Sequence, residues 1–195
     1  MIAAMSAISA LNPFLRIGLA LIGATAIWHS YLWWIPGNAP LWIDNPSATA
    51  TGLVIFGGLV FIIGGLLQVF RRVERTPVET LADATLTDAY LIPFVLILGG
   101  ADAILAPVIA ILLRDALVVG LFFTRNPAPT LSAETRGYAK VSDYILLGVI
   151  ATGLLGVAFG VPEISYLLEA WLSFLWIAAG LRLWTGWSIW TSRAG

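Results

Sequence analysis

Apolar stretches of about 20 residues, the length a helix needs to cross a ~30 Å hydrocarbon core, recur along the chain between short polar segments. The first covers residues 14–34, with only Arg16 near its start and His29 near its end. It is too long and too rich in tryptophan for a signal peptide and has no basic segment before it, so it counts as a span of the mature protein. A loop with Pro36, Pro40, Asp44 and Pro46 follows, then a second span over residues 51–70, whose Gly57, Gly58, Gly64 and Gly65 suit close helix approach. Thr76, Pro77 and Glu79 read as N-cap, first helical residue and capping-box acid, so a third helix starts in water at Pro77 and enters the membrane near Leu86. Gly99, Gly100 and Asp102 turn the chain into a fourth span over 103–123, which carries Arg114 and Asp115. A polar loop is expected over 124–143, a fifth span over 144–161, a turn at Pro162 and Glu163, and a sixth span over 166–189. The predicted fold is all-α: a polytopic membrane protein with six transmembrane helices, residues 1–195 forming one domain. No internal repeat or low-complexity tract is visible.

Composition narrows the function classes. Hydrophobic residues make up 59% and charged residues 11% of the chain, and the mean hydropathy of +0.93 is far above that of soluble domains. Ten basic residues against eleven acidic ones leave no charge excess to attract nucleic acid. The absence of cysteine removes thiolate metal sites and thiol nucleophiles, and a single histidine excludes a bis-histidine haem.

The ten basic residues also give an orientation. Arg16, Arg71, Arg72, Arg75, Arg114, Arg125, Arg136, Lys140, Arg182 and Arg193 all fall toward one side of a six-span arrangement, and the loops of the other side hold acids only. The positive-inside rule then puts both termini in the cytoplasm of a multi-pass inner-membrane protein. Trp33, Trp34 and Trp42 belong to an outer aromatic belt, and Trp184, Trp187 and Trp190 to an inner one.

Charges in or beside spans are the candidates for chemistry, because each costs ~2.5 to 3.5 kcal/mol at the bilayer centre unless it is paired or wet. Arg114 and Asp115 are adjacent, so their side chains leave the helix about 100° apart and are not expected to pair with each other. Arg114 either faces a cavity holding a lipid phosphate, for which its planar fork is suited, or makes an inter-helix ion pair, with Asp88 the expected protein partner. Glu79 and Asp83 share a helix face but diverge from Asp88, and are expected to form a solvated acidic first turn rather than a Mg²⁺ site. His29, among aromatics in AIWHSYLWW, is a structural histidine or a ligand to a pigment magnesium.

The layout resembles the CDP-alcohol phosphatidyltransferase family, which includes the phosphatidylglycerophosphate synthases and carries DxxDGxxARx8Gx3Dx3D across the second and third spans. With the motif arginine on Arg71, the final aspartate falls on Asp88 without a gap, while Ile63, Leu66, Leu67, Phe70, Thr80 and Ala84 stand at the other positions. Arg16 after Asn12-Pro13, the LLRDALVVG of the fourth span, Lys140 before the fifth and the aromatic last span are also similar. The resemblance implies six spans with cytoplasmic termini, and a headgroup site where the mouths of spans two, three and four converge. In the family, two divalent ions bridge the aspartates and the CDP diphosphate, chemistry that cannot survive Ile63, Leu66 and Ala84.

The expectation is therefore a pseudoenzyme, a lipid-binding or assembly subunit of a larger membrane complex. Arg71, Arg114, Lys140 and Asp88 would form a lipid-phosphate site with bound phospholipid, and membrane lipids and other membrane subunits would be its partners. The rivals are an active headgroup transferase with Glu79, Asp83 and Asp88 as an altered metal site, and an accessory subunit of a pigment or electron-transfer complex with His29 as ligand. A small transporter has no paired half-helices to support it.

Overall fold

The computed structural model describes residues 2–41, 43–69, 76–97, 102–124, 132–159 and 164–191. They form six helices and, among the described residues, no strand: α1 (Ile2–Trp34), α2 (Pro46–Val69), α3 (Pro77–Ile97), α4 (Asp102–Thr124), α5 (Ala133–Ala158) and α6 (Ile164–Thr191). Five stretches are long and apolar enough to cross a membrane: Leu11–Trp34, Pro46–Val69, Pro77–Ile97, Ile104–Thr124 and Ala133–Ala158. The chain is thus a multi-pass helical membrane protein by length and composition.

Local chemistry sets the helix starts. The Asn45 side chain accepts from the Ala48 amide at 3.1 Å, with Pro46 as first helical residue, so α2 begins before the apolar run does. Thr76 caps α3 as expected, accepting from the Glu79 amide at 3.2 Å. α1 begins at Ile2, ahead of the span expected from residue 14, and α5 departs in the same way. Ser132 caps it, accepting from the Thr135 amide at 3.1 Å, and the helix then runs through most of the segment expected to be a loop. That first part is polar but two-sided: Thr135, Ala139, Ser142 and Asp143 face inward while Glu134, Arg136 and Lys140 are exposed. A search for an unbroken apolar run starts too late in such a helix.

Around the bundle the helices follow the order α1, α2, α5, α6, α4, α3, and α3 also meets α5 and, lightly, α2 across the middle. Lipid is as apolar as leucine, so burial of leucine cannot alone decide which faces meet. The outer surface is apolar accordingly, with Leu113 and Leu117 more than half exposed on α4 and Trp184, Trp187 and Trp190 on α6. Inside, Phe61, Leu86, Tyr90, Phe94, Ile150 and Leu175 are enclosed, and glycines let backbones approach. At the α1/α2 crossing a Cβ on Gly57 would lie 2.9 Å from the Gly23 carbonyl oxygen and 2.6 Å from Ile27 Cγ1. The Tyr90 hydroxyl closes this crossing by donating to the Gly57 carbonyl at 3.2 Å. Gly57→Ala is expected to cost about 1–3 kcal/mol, because a backbone atom cannot move aside as a side-chain tip can. Gly52→Ala, which meets only open space, should cost nothing. Equilibrium unfolding of both variants in detergent checks the contrast.

Candidate functional site: a buried arginine and carboxylate core

Among the described residues three arginines lie inside the bundle, each held by groups from other helices. Arg16 on α1 is fully buried. Its Nε donates to Asn12 Oδ1 at 2.8 Å, one turn back, and its two terminal nitrogens meet Asp83 and Glu79 on α3. Asn12 in turn reaches the Leu67 carbonyl on α2 at 3.4 Å. Glu79 and Asp83 are one turn apart, so a single guanidinium fork receives both. They are buried rather than forming the solvated acidic turn expected, because α1 brings a cation against that face. Glu79 therefore directs its carboxylate to Arg16, although its amide takes the Thr76 cap.

The second cluster joins the opposite side of the bundle. Arg114 on α4 donates through Nε to the Arg182 carbonyl at 2.8 Å, through Nη2 to Thr185 Oγ1 at 2.6 Å, and through Nη1 to Asp115 Oδ1 at 2.6 Å. Pairing between sequence neighbours departs from expectation. The two Cβ atoms do diverge, but both side chains turn toward α6, and the long arginine stem curls back far enough for its fork to meet the carboxylate. Gly186 leaves room for that stem, since a Cβ there would lie 3.0 Å from Arg114 Cγ. Arg182 pairs with Asp115 and with Asp143, the latter at 2.9 Å, and donates to Thr87 Oγ1 at 3.3 Å. Gln68 on α2 donates to the other oxygen of Asp143 at 3.2 Å. One polar core thus ties α2, α3, α4, α5 and α6. Beside it a small pocket touches Thr80, Asp83, Arg114, Asp115, Asp143 and Arg182, with space of about 20 Å³, enough for one water.

The expected phosphate site is only partly assembled. Arg114 is inside the bundle as expected, but all three of its nitrogens have protein acceptors. Its carboxylate partner is Asp115 and not Asp88. Lys140 is exposed on α5, one turn before the buried Asp143, and does not join the core. Arg71 lies outside the described residues, as do Arg72, Arg75, Trp42 and Glu163. Asp88 is half-buried and lines an open groove between α3 and α4; its Oδ1 is enclosed and has no hydrogen-bond partner among the described residues. Ile63 and Leu66 are each half exposed on α2. Among the described residues no three histidine, aspartate or glutamate side chains converge as metal ligands would. His29 is exposed, with Nδ1 at 2.8 Å from the Thr25 carbonyl and its ring edge-on to Trp33.

Sequence reading missed Arg182, Thr185, Asp143 and Gln68 as members of the core. Arg182 carried a usable signal: it lies nine residues before the end of α6, as deep as Arg114 in α4, and the same insertion cost demands a partner for it. Asp143 was hidden by the late start assigned to the fifth span. No protein-family model, curated protein or solved structure matches this chain.

Proposed function

We propose that the chain is a six-span inner-membrane protein with both termini in the cytoplasm, on a scaffold related to the CDP-alcohol phosphatidyltransferases, that works without catalysis as a lipid-binding or assembly subunit of a larger membrane complex. The observation that carries this reading is the use made of the intramembrane charges. Glu79 and Asp83 are spent on Arg16, and Arg114 and Arg182 on Asp115 and Asp143, so the charges fix helices in place instead of converging on a substrate. The apolar side chains at Ile63, Leu66 and Ala84 support the same conclusion for the metal chemistry. The sixth span is supported by the length of α6, and the orientation by the one-sided distribution of the basic residues.

Purification of the full chain from its native membrane in mild detergent, with mass analysis of co-purifying chains and lipids, tests the proposal. The expected result is a stoichiometric partner chain or retained lipid; a lipid-free solitary monomer overturns it. One observation favours a second reading. The bond from Nδ1 to the Thr25 carbonyl makes Nδ1 the protonated nitrogen and turns the lone pair of His29 Nε2 outward, as an axial ligand to a pigment metal requires. The same preparation decides it: a visible absorption band absent from His29→Ala supports that reading, and a colourless native preparation ends it.

A further inference from the structure

The polar first part of α5 buries one side and leaves two cations outside the bundle. Arg136 and Lys140 are exposed, and neither has an ion-pair or hydrogen-bond partner among the described residues. Glu134 leaves the helix on another side and accepts from the Tyr138 hydroxyl at 3.0 Å, while Asp143 is turned inward to Arg182 and Gln68. Residues four apart share a helix face with Cβ atoms about 5–6 Å from each other, so the two cations stand together. Their stripe continues about two turns past Lys140 to Leu147, where α5 meets α2: a Cβ on Gly65 would lie 2.9 Å from Leu147 Cδ2. One turn nearer the start of α5, Gln68 reaches Asp143, so the two helices run antiparallel there. On α2 the matching stripe is Ile62, Gly65 and Val69, of which Val69 is exposed. The outer seam between α2 and α5 thus has a pair of cations at one end and an apolar track leading away from them.

Depth and charge restrict the occupant. α5 has 26 residues, about 39 Å of helix, against a hydrocarbon core of ~30 Å. The surplus lies at its polar start, so Arg136 and Lys140 stand at headgroup level with the apolar track below them among the acyl chains. The one-sided distribution of basic residues puts this end at the cytoplasmic leaflet, which is the anionic one. A zwitterionic headgroup would bring its own ammonium against the two cations, whereas a headgroup of net negative charge brings only acceptors. We propose that an anionic phospholipid of the cytoplasmic leaflet occupies this seam, its phosphate between Arg136 and Lys140 and an acyl chain along Ile62, Val69 and Leu147. The proposal rests on the lipid-binding reading above and deepens it by naming the lipid class. It moves the phosphate from the core, where every nitrogen of Arg114 already has a protein acceptor, to the outside of the bundle. It fails separately from that function if the two cations prove dispensable for the lipid while the native preparation still retains lipid or a partner chain.

Native mass spectrometry of the full chain, released from a non-ionic detergent, tests it with dioleoyl phosphatidylglycerol as probe and dioleoyl phosphatidylcholine as its zwitterionic counterpart. A phosphatidylglycerol adduct is expected on the native chain, weakened about tenfold or more in the double variant Arg136→Gln, Lys140→Gln, with phosphatidylcholine weak on both. Both side chains are exposed, so the double variant should fold as the native chain does. Adding Glu134→Lys to that pair restores the net charge from a different side of the helix and should leave the adduct weak. Recovery of the adduct in the triple variant overturns the proposal, because diffuse charge and not the seam would then hold the lipid. Undiminished binding to the double variant overturns it too. So does phosphatidylcholine binding as tightly as phosphatidylglycerol, which would make the seam a site for phospholipids of any charge.

Discussion

Replacing Arg182 with methionine is expected to destabilise the protein by about 3–5 kcal/mol, the cost of removing one partner from a buried ion pair. The upper part of that range applies because one guanidinium serves Asp115 on α4 and Asp143 on α5 and also donates to Thr87 on α3. Methionine matches the stem of the arginine in length and flexibility, so packing loss contributes little. The bond from Arg114 Nε goes to the main-chain carbonyl of residue 182 and survives the substitution, so the measurement isolates the guanidinium. Arg182→Lys should fall between the two: lysine keeps the charge, but a point ammonium cannot span two carboxylates on different helices as a planar fork does. Thr185→Val, which removes one acceptor from Arg114 and no charge, is expected to cost about 1–3 kcal/mol. Unfolding in mixed detergent micelles gives this order directly. A loss below about 1 kcal/mol for Arg182→Met would mean that the cluster is hydrated and holds nothing together.

The helical character and the positions of most helices were legible because a bilayer imposes a length on every crossing, and length survives in a sequence without any knowledge of partners. The starts at Pro77 and near residues 102–103 came from turn and cap residues acting over three or four positions. The beginning of α5 did not, because its inward residues Thr135, Ser142 and Asp143 are polar and look like loop until the partners for which they are polar, such as the Ala178 carbonyl and Arg182, are known. The candidate site was legible in the same uneven way. The cost of a charge in hydrocarbon correctly marked Arg114 and Asp115 as residues requiring partners, but which partners is a property of helix neighbours. Arg16 and Asp83 are 67 positions apart, and Arg182 and Asp143 are 39 apart. Periodicity along one helix cannot supply such pairings. The rule that adjacent residues diverge failed at Arg114 because it describes Cβ directions, and an arginine ends five bonds beyond its Cβ.

Arg16→Leu is expected to be as damaging as loss of Arg182, about 3–5 kcal/mol, since it takes the guanidinium away from two carboxylates that are almost wholly enclosed. The informative comparison is with the triple variant Arg16→Leu, Glu79→Met, Asp83→Leu, in which the ions leave together. A buried ion cluster exchanged for apolar side chains of similar size is often neutral or stabilising, because the desolvation of three charges is no longer required. The triple variant should therefore recover most of the stability that the single variant loses. Asn12 gives a further check. It accepts from Arg16 Nε and donates to the Leu67 carbonyl, so it links the ion cluster to α2, and Asn12→Leu should cost about 1–3 kcal/mol in the native background but much less in the triple variant. If the triple variant instead remains as unstable as Arg16→Leu, the charges contribute net attraction in this setting. The α1/α3 contact would then depend on electrostatics, with the glycine packing of Gly23 against Gly57 left to hold α1 from the other side.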